Sequence, residues 1–320
     1  MSWRARVPSV ATLGPVVALF IACIIFALQS DRFLTTDNMA LVLQQVMVVG
    51  VIAIGQTLIV LTAGVDLSCG AVMALGGVVI TKLATLGGMP VPLAILSGIG
   101  VTTLFGTLNG ALVAVVRLPP FIVTLGTLNI AFALTQLYSG AQTVTDIPPA
   151  LEALGRTFPL GRTPIEYGVL LMFAMYGVAW FTLGQTAWGR HVYAIGDHLE
   201  ATRLAGIPTT RILLSVYAVA GVCYGFAALL AVARTGVGDP NAGQTENLDA
   251  VTAVVIGGTS LFGGRGVVLS SLIGALIVGV FRNGLTLMGV SSVYQIFVTG
   301  VLVILAVTAD RLSRRHAGAR

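Results

Sequence analysis

Charged residues are scarce in this chain. They make up 9% of its 320 residues, whereas 56% of the residues are hydrophobic; an ordinary soluble domain has roughly a quarter charged residues. A soluble core cannot bury that much apolar surface, so a soluble globular protein is excluded. Apolar runs of about 20 residues, long enough as helices to cross a hydrocarbon layer of about 30 Å, recur along the chain. They predict a membrane protein.

Lysine is almost missing. The chain contains a single lysine, Lys82, which lies between Thr81 and Leu83. A phosphate-binding P-loop needs a lysine preceded by glycine and followed by serine or threonine, so the sequence contains no nucleotide site of that kind. The arginines that produce the net charge of +5 fall singly between apolar runs. This pattern indicates membrane topology rather than nucleic-acid binding.

Cysteine and histidine are also few, with three residues of each. The cysteines lie in or beside apolar segments, where cysteine is usually a small buried hydrophobe. The histidines, His191, His198 and His316, lack metal-ligand spacing. We therefore predict no disulfide framework, no metal site and no cofactor bound by this chain. Since the catalytic motifs of membrane hydrolases are missing, we also predict that the chain is not an enzyme.

Ten apolar segments predict an all-α polytopic membrane protein with about ten transmembrane helices. By residue number they are 10–28, 39–63, 67–86, 92–116, 121–139, 166–184, 211–233, 248–262, 266–286 and 291–309. The segment that begins near Asp249 has only 15 residues, too few to cross easily as one helix. We expect it to enter the membrane partway, as in a re-entrant helix, or to tilt against the glycine-rich turn after it; the alternative is a close-packing face.

The basic residues set the predicted orientation. If the N-terminus is cytoplasmic, alternate sides of the membrane receive eleven and six arginine and lysine residues. Because basic residues accumulate in cytoplasmic loops, we predict that both termini are cytoplasmic. The chain would then be a single membrane domain, residues 1–320, with a cytoplasmic loop at about 185–210 and a tail at about 310–320. An even number of spans also allows two inverted halves of five helices.

The cytoplasmic loop contains a short predicted helix. Asp197 suits the N-cap position with Glu200 three residues later, and Gly206 followed by Pro208 suits the end. The result is a helix of about eight residues, which is too short to be stable alone.

Such a helix needs a docking surface. Leu199 and Arg203 would share one face, with Leu204 beside them, and this face would suit a groove on another protein. The alternative is a capped loop helix that rests on its own membrane domain.

Four stretches resemble one family of permeases. The sequences TAGVDLS at 62–68, PPFIVTLG at 119–126, VYAIG at 192–196 and LDAVTAVVIGGTSLFGG at 248–264 are similar to those of ribose, xylose, galactose and fructose ABC importers. The resemblance covers about residues 40–310, and the seventeen-residue stretch is its most specific part. Residues 200–206 also resemble the EAA-x-x-x-G pattern of ABC importer permeases, with Thr202 in place of the second alanine.

The resemblance implies a permease subunit that moves a monosaccharide, a pentose or hexose, through the bacterial plasma (inner) membrane into the cytoplasm. It implies a cytoplasmic ATPase that binds ATP and Mg²⁺, a secreted sugar-binding protein, and a second permease copy or homologue as a dimer. In this family the ATPase grips the cytoplasmic loop. The coupling residues would be Asp197, Glu200, Ala201, Arg203, Leu204 and Gly206.

The chain departs from the family pattern at two places. Asp197-His198 stands where such permeases often have Gly-Asn, and Asn247 stands where Glu is frequent. These departures concern the fit to a particular ATPase. The rival hypothesis is a secondary transporter or channel that works alone.

Neutral polar residues inside the spans are candidates for the lining of a sugar path, because a permease must bind its solute weakly through donors and acceptors. The alternative for each candidate is that its side chain forms a hydrogen bond between helices. The candidates are Gln44, Gln45, Gln56, Asn109, Thr124, Thr127, Asn129 and Gln295. We favour Gln56 and Asn109.

Asp66 and Ser68 lie in the turn between two spans. Our first interpretation is that Asp66 caps the following helix. In the alternative, Asp66 lies near the inner mouth of the path and accepts hydrogen bonds from sugar hydroxyls. Asp249, at the start of the short segment, is a further candidate for the path.

Overall fold

The computed structural model describes residues 10–161 and 163–301, together with Ile304, Val307 and Thr308. Its α-helices are α1 (Val10–Gln29), α2 (Thr36–Leu61), α3 (Cys69–Thr85), α4 (Val91–Ala114), α5 (Pro120–Ser139), α6 (Tyr167–Gln185), α7 (Ala187–Asp197), α8 (Leu199–Leu204), α9 (Thr209–Thr235), α10 (Glu246–Ile256), α11 (Val268–Leu287) and α12 (Ser292–Val301). A 3-10 helix (Leu151–Gly155) and a hairpin of β1 (Thr157–Leu160) and β2 (Thr163–Glu166) lie between α5 and α6.

Six of these helices, α2, α4, α5, α6, α9 and α11, are long and apolar enough to cross a membrane. α3, α12 and the part of α1 from Gly14 onward are shorter apolar helices. The prediction of an all-α polytopic membrane protein is therefore confirmed. The count of ten spans and the inverted repeat stay predictions.

The orientation also stays a prediction, because seven of the seventeen basic residues that determine it lie outside the described residues. The tail at 310–320 and much of the last predicted span lie outside them too. The basic residues concerned are Arg4, Arg6, Arg162, Arg311, Arg314, Arg315 and Arg320.

Helices α2 and α9 form the centre of the bundle, and most of the side chains in their apolar windows are buried. α4 packs directly on α9 through glycine. A Cβ atom at Gly106 would lie 2.3 Å from the Tyr217 carbonyl oxygen, and one at Gly221 would lie 2.5 Å from the Thr102 carbonyl oxygen. The two backbones therefore touch, as small residues allow between membrane helices.

The short segment that begins near Asp249 is a half-helix followed by irregular backbone. α10 has 11 residues, or about 16 Å at 1.5 Å per residue, about half of a bilayer core. It starts beside the last turns of α11, where Asp249 pairs with Arg282. The glycine-rich chain after it reaches the far end of α2, where the Gly264 N–H donates to the Leu61 carbonyl oxygen at 3.0 Å. The segment thus passes from one end of the bundle to the other, and its place among ten spans stays a prediction.

A second irregular segment joins α2 to α3. Residues 62–68 turn back into the bundle, so that Asp66 meets Tyr224 near the middle of α9. α3 consequently begins inside the protein, where Gly70 packs against the backbone of Gly243. Irregular backbone at this depth is tolerated only where protein buries it or water reaches it.

The two ends of the bundle differ. The α7–α8 end carries the ends of α2 and α4 and the start of α9. The opposite end carries the β1–β2 hairpin, in which Thr157 pairs with Glu166, and a bridge between Val144 and Gly238. The Glu166 carboxylate accepts a hydrogen bond from Gln44. Burial raises the pKa of Glu166 above its ordinary value.

Candidate functional site

The short helix α8 begins later than predicted. α7 continues through Asp197, and the N-cap is His198, whose Nδ1 accepts a hydrogen bond from the Ala201 N–H at 3.2 Å. The prediction of Asp197 as the cap is therefore wrong, because Asp197 still belongs to the preceding helix. α8 has 6 residues rather than about eight. Gly206 does end it, with φ of 83°, in the left-handed conformation that glycine adopts at low cost.

α8 presents its surface to solvent. The structure places all six predicted coupling residues in exposed positions, and Leu204 is 83% exposed. Glu200 and Arg203 form a surface ion pair at 2.9 Å, which is worth little by itself. The helix is anchored from below by Thr202, whose hydroxyl donates to the Ala194 carbonyl oxygen at 2.8 Å.

α7 is attached to the irregular segment that follows α10. The Tyr193 hydroxyl donates to the Gly266 carbonyl oxygen at 2.9 Å. Burial raises the pKa of Tyr193, so this donor keeps its proton. A Cβ atom at Gly196 would lie 1.8 Å from the Leu61 carbonyl oxygen and 2.5 Å from the Gly264 nitrogen. Three segments therefore meet here through their backbones.

Four of the predicted path residues form one buried polar cluster, which consists of Gln56, Asp66, Ser68, Asn109 and, in addition, Tyr224. Asp66 Oδ1 accepts hydrogen bonds from the Ser68 N–H at 2.8 Å and from the Ser68 hydroxyl at 2.6 Å. Asp66 Oδ2 accepts one from the Tyr224 hydroxyl at 3.1 Å. Asn109 donates to the Ser68 hydroxyl oxygen at 3.1 Å. The cluster thus joins α4, α9 and the start of α3.

Two further contacts hold the backbone of the irregular segment 62–68. The Gln56 side-chain amide pairs with the N–H and the carbonyl oxygen of Asp66, at 3.2 and 3.1 Å, in the orientation that satisfies both groups. The Thr124 hydroxyl donates to the Val65 carbonyl oxygen at 3.2 Å. Asp66 accepts the N–H of Ser68, the residue that precedes α3, so its carboxylate does organise the helix start. A direct hydrogen bond between the Asp66 carboxylate and a sugar hydroxyl stays a prediction.

Asp249 lies apart from this cluster, toward the opposite end of the bundle. It is buried and forms an ion pair with Arg282 at 3.0 Å, and Arg282 also donates to the Thr245 hydroxyl at 3.1 Å. The neighbouring Asn247 donates to the Leu67 carbonyl oxygen at 3.4 Å. The start of α10 is thereby tied to α11 and to the segment before α3.

Two large cavities flank the polar cluster. One lies at the end opposite α7–α8 and is called the outer cavity after the predicted orientation; it measures about 360 Å³ and is lined by α3, α9 and residues 237–246, with Arg234, Asp239 and Glu246 among them. The inner cavity, at the α7–α8 end, measures about 530 Å³. Along α9, Tyr217 lines the inner cavity and Ala228 lines the outer one. Tyr224, between them, belongs to the cluster that fills the space.

Several participants were not singled out by the sequence. Tyr224 supplies the hydroxyl bonded to Asp66, and Arg282 supplies the partner of Asp249. Tyr217 and Tyr224 are seven residues apart and are the two hydroxyl-bearing residues of the otherwise apolar stretch 216–233, which could have indicated them. Three other polar candidates lie apart from the cluster. Gln44 donates a hydrogen bond to Glu166, Gln295 donates one to the Val290 carbonyl oxygen, and Asn129 is exposed.

The four family-like stretches contact one another in two pairs. The first touches the second where Thr124 bonds Val65, and the third touches the fourth where Gly196 lies against Gly264. Residues 38–307 match the family described as branched-chain amino acid transport system / permease component. The chain belongs to this permease family.

Several relatives align with almost the whole permease. It is 43% identical to the fructose import permease protein of Rhizobium meliloti, over 95% of this chain and 86% of that protein. It is 38% identical to the ribose import permease protein of Bacillus subtilis, over 93% and 92%, and 36% identical to the D-allose transport system permease protein of Escherichia coli K12, over 92% and 90%. No solved structure matches it significantly.

Membership in this family tests several of the predictions made from the sequence. Its permease subunits belong to ABC transporters and are not enzymes, since the ATPase activity lies in a separate subunit. The family implies an ABC ATPase and a sugar-binding protein as partners. The permease is thus a multi-pass integral membrane protein. The rival hypothesis of a carrier that works alone is not supported.

Proposed function

We propose that this permease moves a monosaccharide, a pentose or a hexose, through the bacterial inner membrane into the cytoplasm, driven by ATP and Mg²⁺ bound in a partner ATPase. The observation that carries the proposal is the alignment over at least nine tenths of the chain with permeases named for fructose, ribose and allose. The family description names branched-chain amino acids, which makes an amino acid the second candidate substrate.

The ATPase docks, in this proposal, on α8. The helix offers the exposed Leu199 and Leu204 beside the Glu200–Arg203 pair, an apolar anchor with a polar rim of the kind that a groove accepts. Because α8 has only 6 residues, its geometry depends on what holds it at both sides. The coupling residues are Asp197, Glu200, Ala201, Arg203, Leu204 and Gly206.

Movement of α8 reaches the opposite end through α7 and α10. α7 holds the irregular segment through Tyr193 and Gly196, and that segment continues directly from α10. α10 in turn carries Asp249, whose ion pair with Arg282 lies near the outer cavity. A displacement at the ATPase would therefore change the outer end of the bundle without bending a complete helix.

The sugar path needs more than one chain in this proposal. The polar cluster fills the space between the two cavities, so its residues support the wall of the path rather than open it. They are Gln56, Asp66, Ser68 and Asn109, together with Thr124. Asp249 helps to close the outer end of the path. A second permease copy or homologue would complete the path. Specificity would then depend on the sugar-binding protein as much as on the permease.

One reconstitution tests the substrate and the energy source together. The permease, a candidate ATPase and a candidate sugar-binding protein are placed in proteoliposomes loaded with ATP and Mg²⁺. Uptake of labelled ribose, fructose, allose and leucine is then measured. We expect uptake of one sugar that requires ATP and all three proteins.

The controls omit one component at a time. Uptake of leucine in place of any sugar would favour the amino acid candidate. Uptake by the permease alone, indifferent to ATP, would contradict the proposal.

A further inference from the structure

Asn129 is an exposed polar residue in the middle of a membrane helix. It is the tenth of the 20 residues of α5, so it lies about 15 Å from either helix end, at the centre of a hydrocarbon layer of about 30 Å. We compared the amide and charged side chains that lie more than four residues from the ends of the six apolar helices, and Asn129 alone is exposed. An amide is costly in lipid. This face of α5 therefore requires a polar neighbour.

The chain itself does not supply that neighbour. The Asn129 amide donates to the Leu125 carbonyl oxygen at 3.0 Å, within its own helix. Its Oδ1 accepts no hydrogen bond from the part of the chain that the structure describes. α5 packs on α3 and α4, and the side chains opposite Asn129 on the helix, Thr127 and Ala131, are buried. The face around Asn129 is therefore open, at the edge of the bundle.

The neighbours of Asn129 on this face suit a polar solute. Gly126, one turn earlier, is exposed, and a Cβ atom there would meet nothing within 4 Å. Packing inside the chain does not require this glycine, and it leaves room for a solute or another helix. Phe132, one turn after Asn129, is 42% exposed and lines a cavity of about 180 Å³ with Gln244 and Asn247. An aromatic ring with a few polar groups is typical of small-molecule sites.

We propose that α5 faces a second copy of the permease, and that the Asn129 side chains of the two copies line the sugar path at the centre of the membrane. The inference rests on the proposed function, in which one chain cannot form the path because the cluster around Asp66 fills the space between its two cavities. Asn129 offers its Oδ1 as an acceptor, and its amide as a donor, to a sugar hydroxyl. Phe132 contacts the apolar face of the sugar ring.

The first test measures what α5 faces in the reconstituted transporter, with and without ATP. Asn129→Cys is treated with a charged thiol reagent that does not cross membranes and, separately, with a short bismaleimide. Ile130→Cys is the matched control, because Ile130 is 52% exposed at the same depth but lies about 100° around the helix. We expect the Asn129→Cys thiol to react about tenfold faster, since a thiol in lipid does not ionise. Only Asn129→Cys should cross-link two copies. The chain with its three native cysteines gives the background.

The second test measures uptake and the Tm. Asn129→Leu should lower uptake about tenfold, the effect of one lost hydrogen bond to the solute, and should leave the Tm unchanged. Asn129→Gln should restore uptake, and Ile130→Ala should not change it.

Equal reaction of the two thiols without a cross-link would overturn the placement of α5, whatever solute is transported. Normal uptake by Asn129→Leu would remove Asn129 from the path and overturn the site. Uptake of leucine in place of sugar, with the cross-link and the thiol rates as expected, would refute the proposed substrate and leave the placement of α5 supported.

Discussion

Adding one methyl group at Gly196 should uncouple ATP hydrolysis from transport. The Cβ atom of Gly196→Ala would lie 1.8 Å from the Leu61 carbonyl oxygen, whereas ordinary contacts begin at 3.4 Å, so α7 and the end of α2 must separate by about 1.6 Å. That shift also breaks the 3.0 Å hydrogen bond between Gly264 and Leu61. Overpacking costs about 1–3 kcal/mol, and the lost buried hydrogen bond costs about 1–3 kcal/mol. Alanine regains about 1 kcal/mol of helix propensity.

The net loss of stability is therefore about 1–5 kcal/mol. The assay compares ATP hydrolysis and sugar uptake by the reconstituted transporter, together with the Tm of the purified permease. We expect ATP hydrolysis to continue while sugar uptake per ATP falls at least tenfold, because α7 no longer holds the segment after α10 in its position.

The matched control is Gly184→Ala, in α6, where a Cβ atom would meet nothing within 4 Å. It should leave both the Tm and the uptake per ATP unchanged. If Gly196→Ala behaves like this control, the contact between α7 and the irregular segment does not transmit movement.

Three further substitutions test the other contacts. Asp66→Asn keeps an acceptor for Ser68 and should retain most uptake, so complete loss at normal membrane levels would show that Asp66 serves the sugar itself. Asp249→Asn removes the ion pair with Arg282 and should lower the Tm by about 5 °C or more, because breaking a buried pair is costly; an unchanged Tm in thermal unfolding would refute the stabilising role. Gly206→Trp should abolish stimulation of the ATPase and uptake while membrane insertion, followed by membrane fractionation, stays normal, and normal uptake would remove α8 from coupling.

The fold was predictable where it follows from local composition. Apart from the segment 248–262, of which only the first part is helical, the apolar segments that the structure describes correspond to helices within a few residues, because helix is how a chain satisfies its backbone groups in lipid. The half-helix α10 was indicated by its length. Its continuation to the end of α2 was not, since that path depends on a hydrogen bond between Gly264 and Leu61, which are far apart in sequence.

The sequence predicted which residues belong to the site better than it predicted how their side chains are arranged. Gln56 and Asn109 were predicted as polar residues inside apolar spans, and Asp66 and Ser68 as residues of the turn between two spans. The structure brings the four together. Tyr224, which donates to Asp66, was not predicted, because tyrosine is ordinary inside a membrane helix. The predicted cap of α8 was wrong by one residue, because His198 accepts the capping hydrogen bond that an aspartate side chain accepts more commonly.

The cluster around Asp66 also constrains how the protein is made. Tyr224 is 158 residues farther along the chain than Asp66, and a ribosome adding 5–20 residues per second needs about 8–30 s to synthesise that length. During this interval Asp66 Oδ1 can still accept the two hydrogen bonds from Ser68, but Oδ2 lacks the Tyr224 hydroxyl, which disfavours burial of the α2–α3 pair in lipid. We therefore expect α2 and α3 to stay at the insertion machinery or near the lipid headgroups until α9 is synthesised and packs against them.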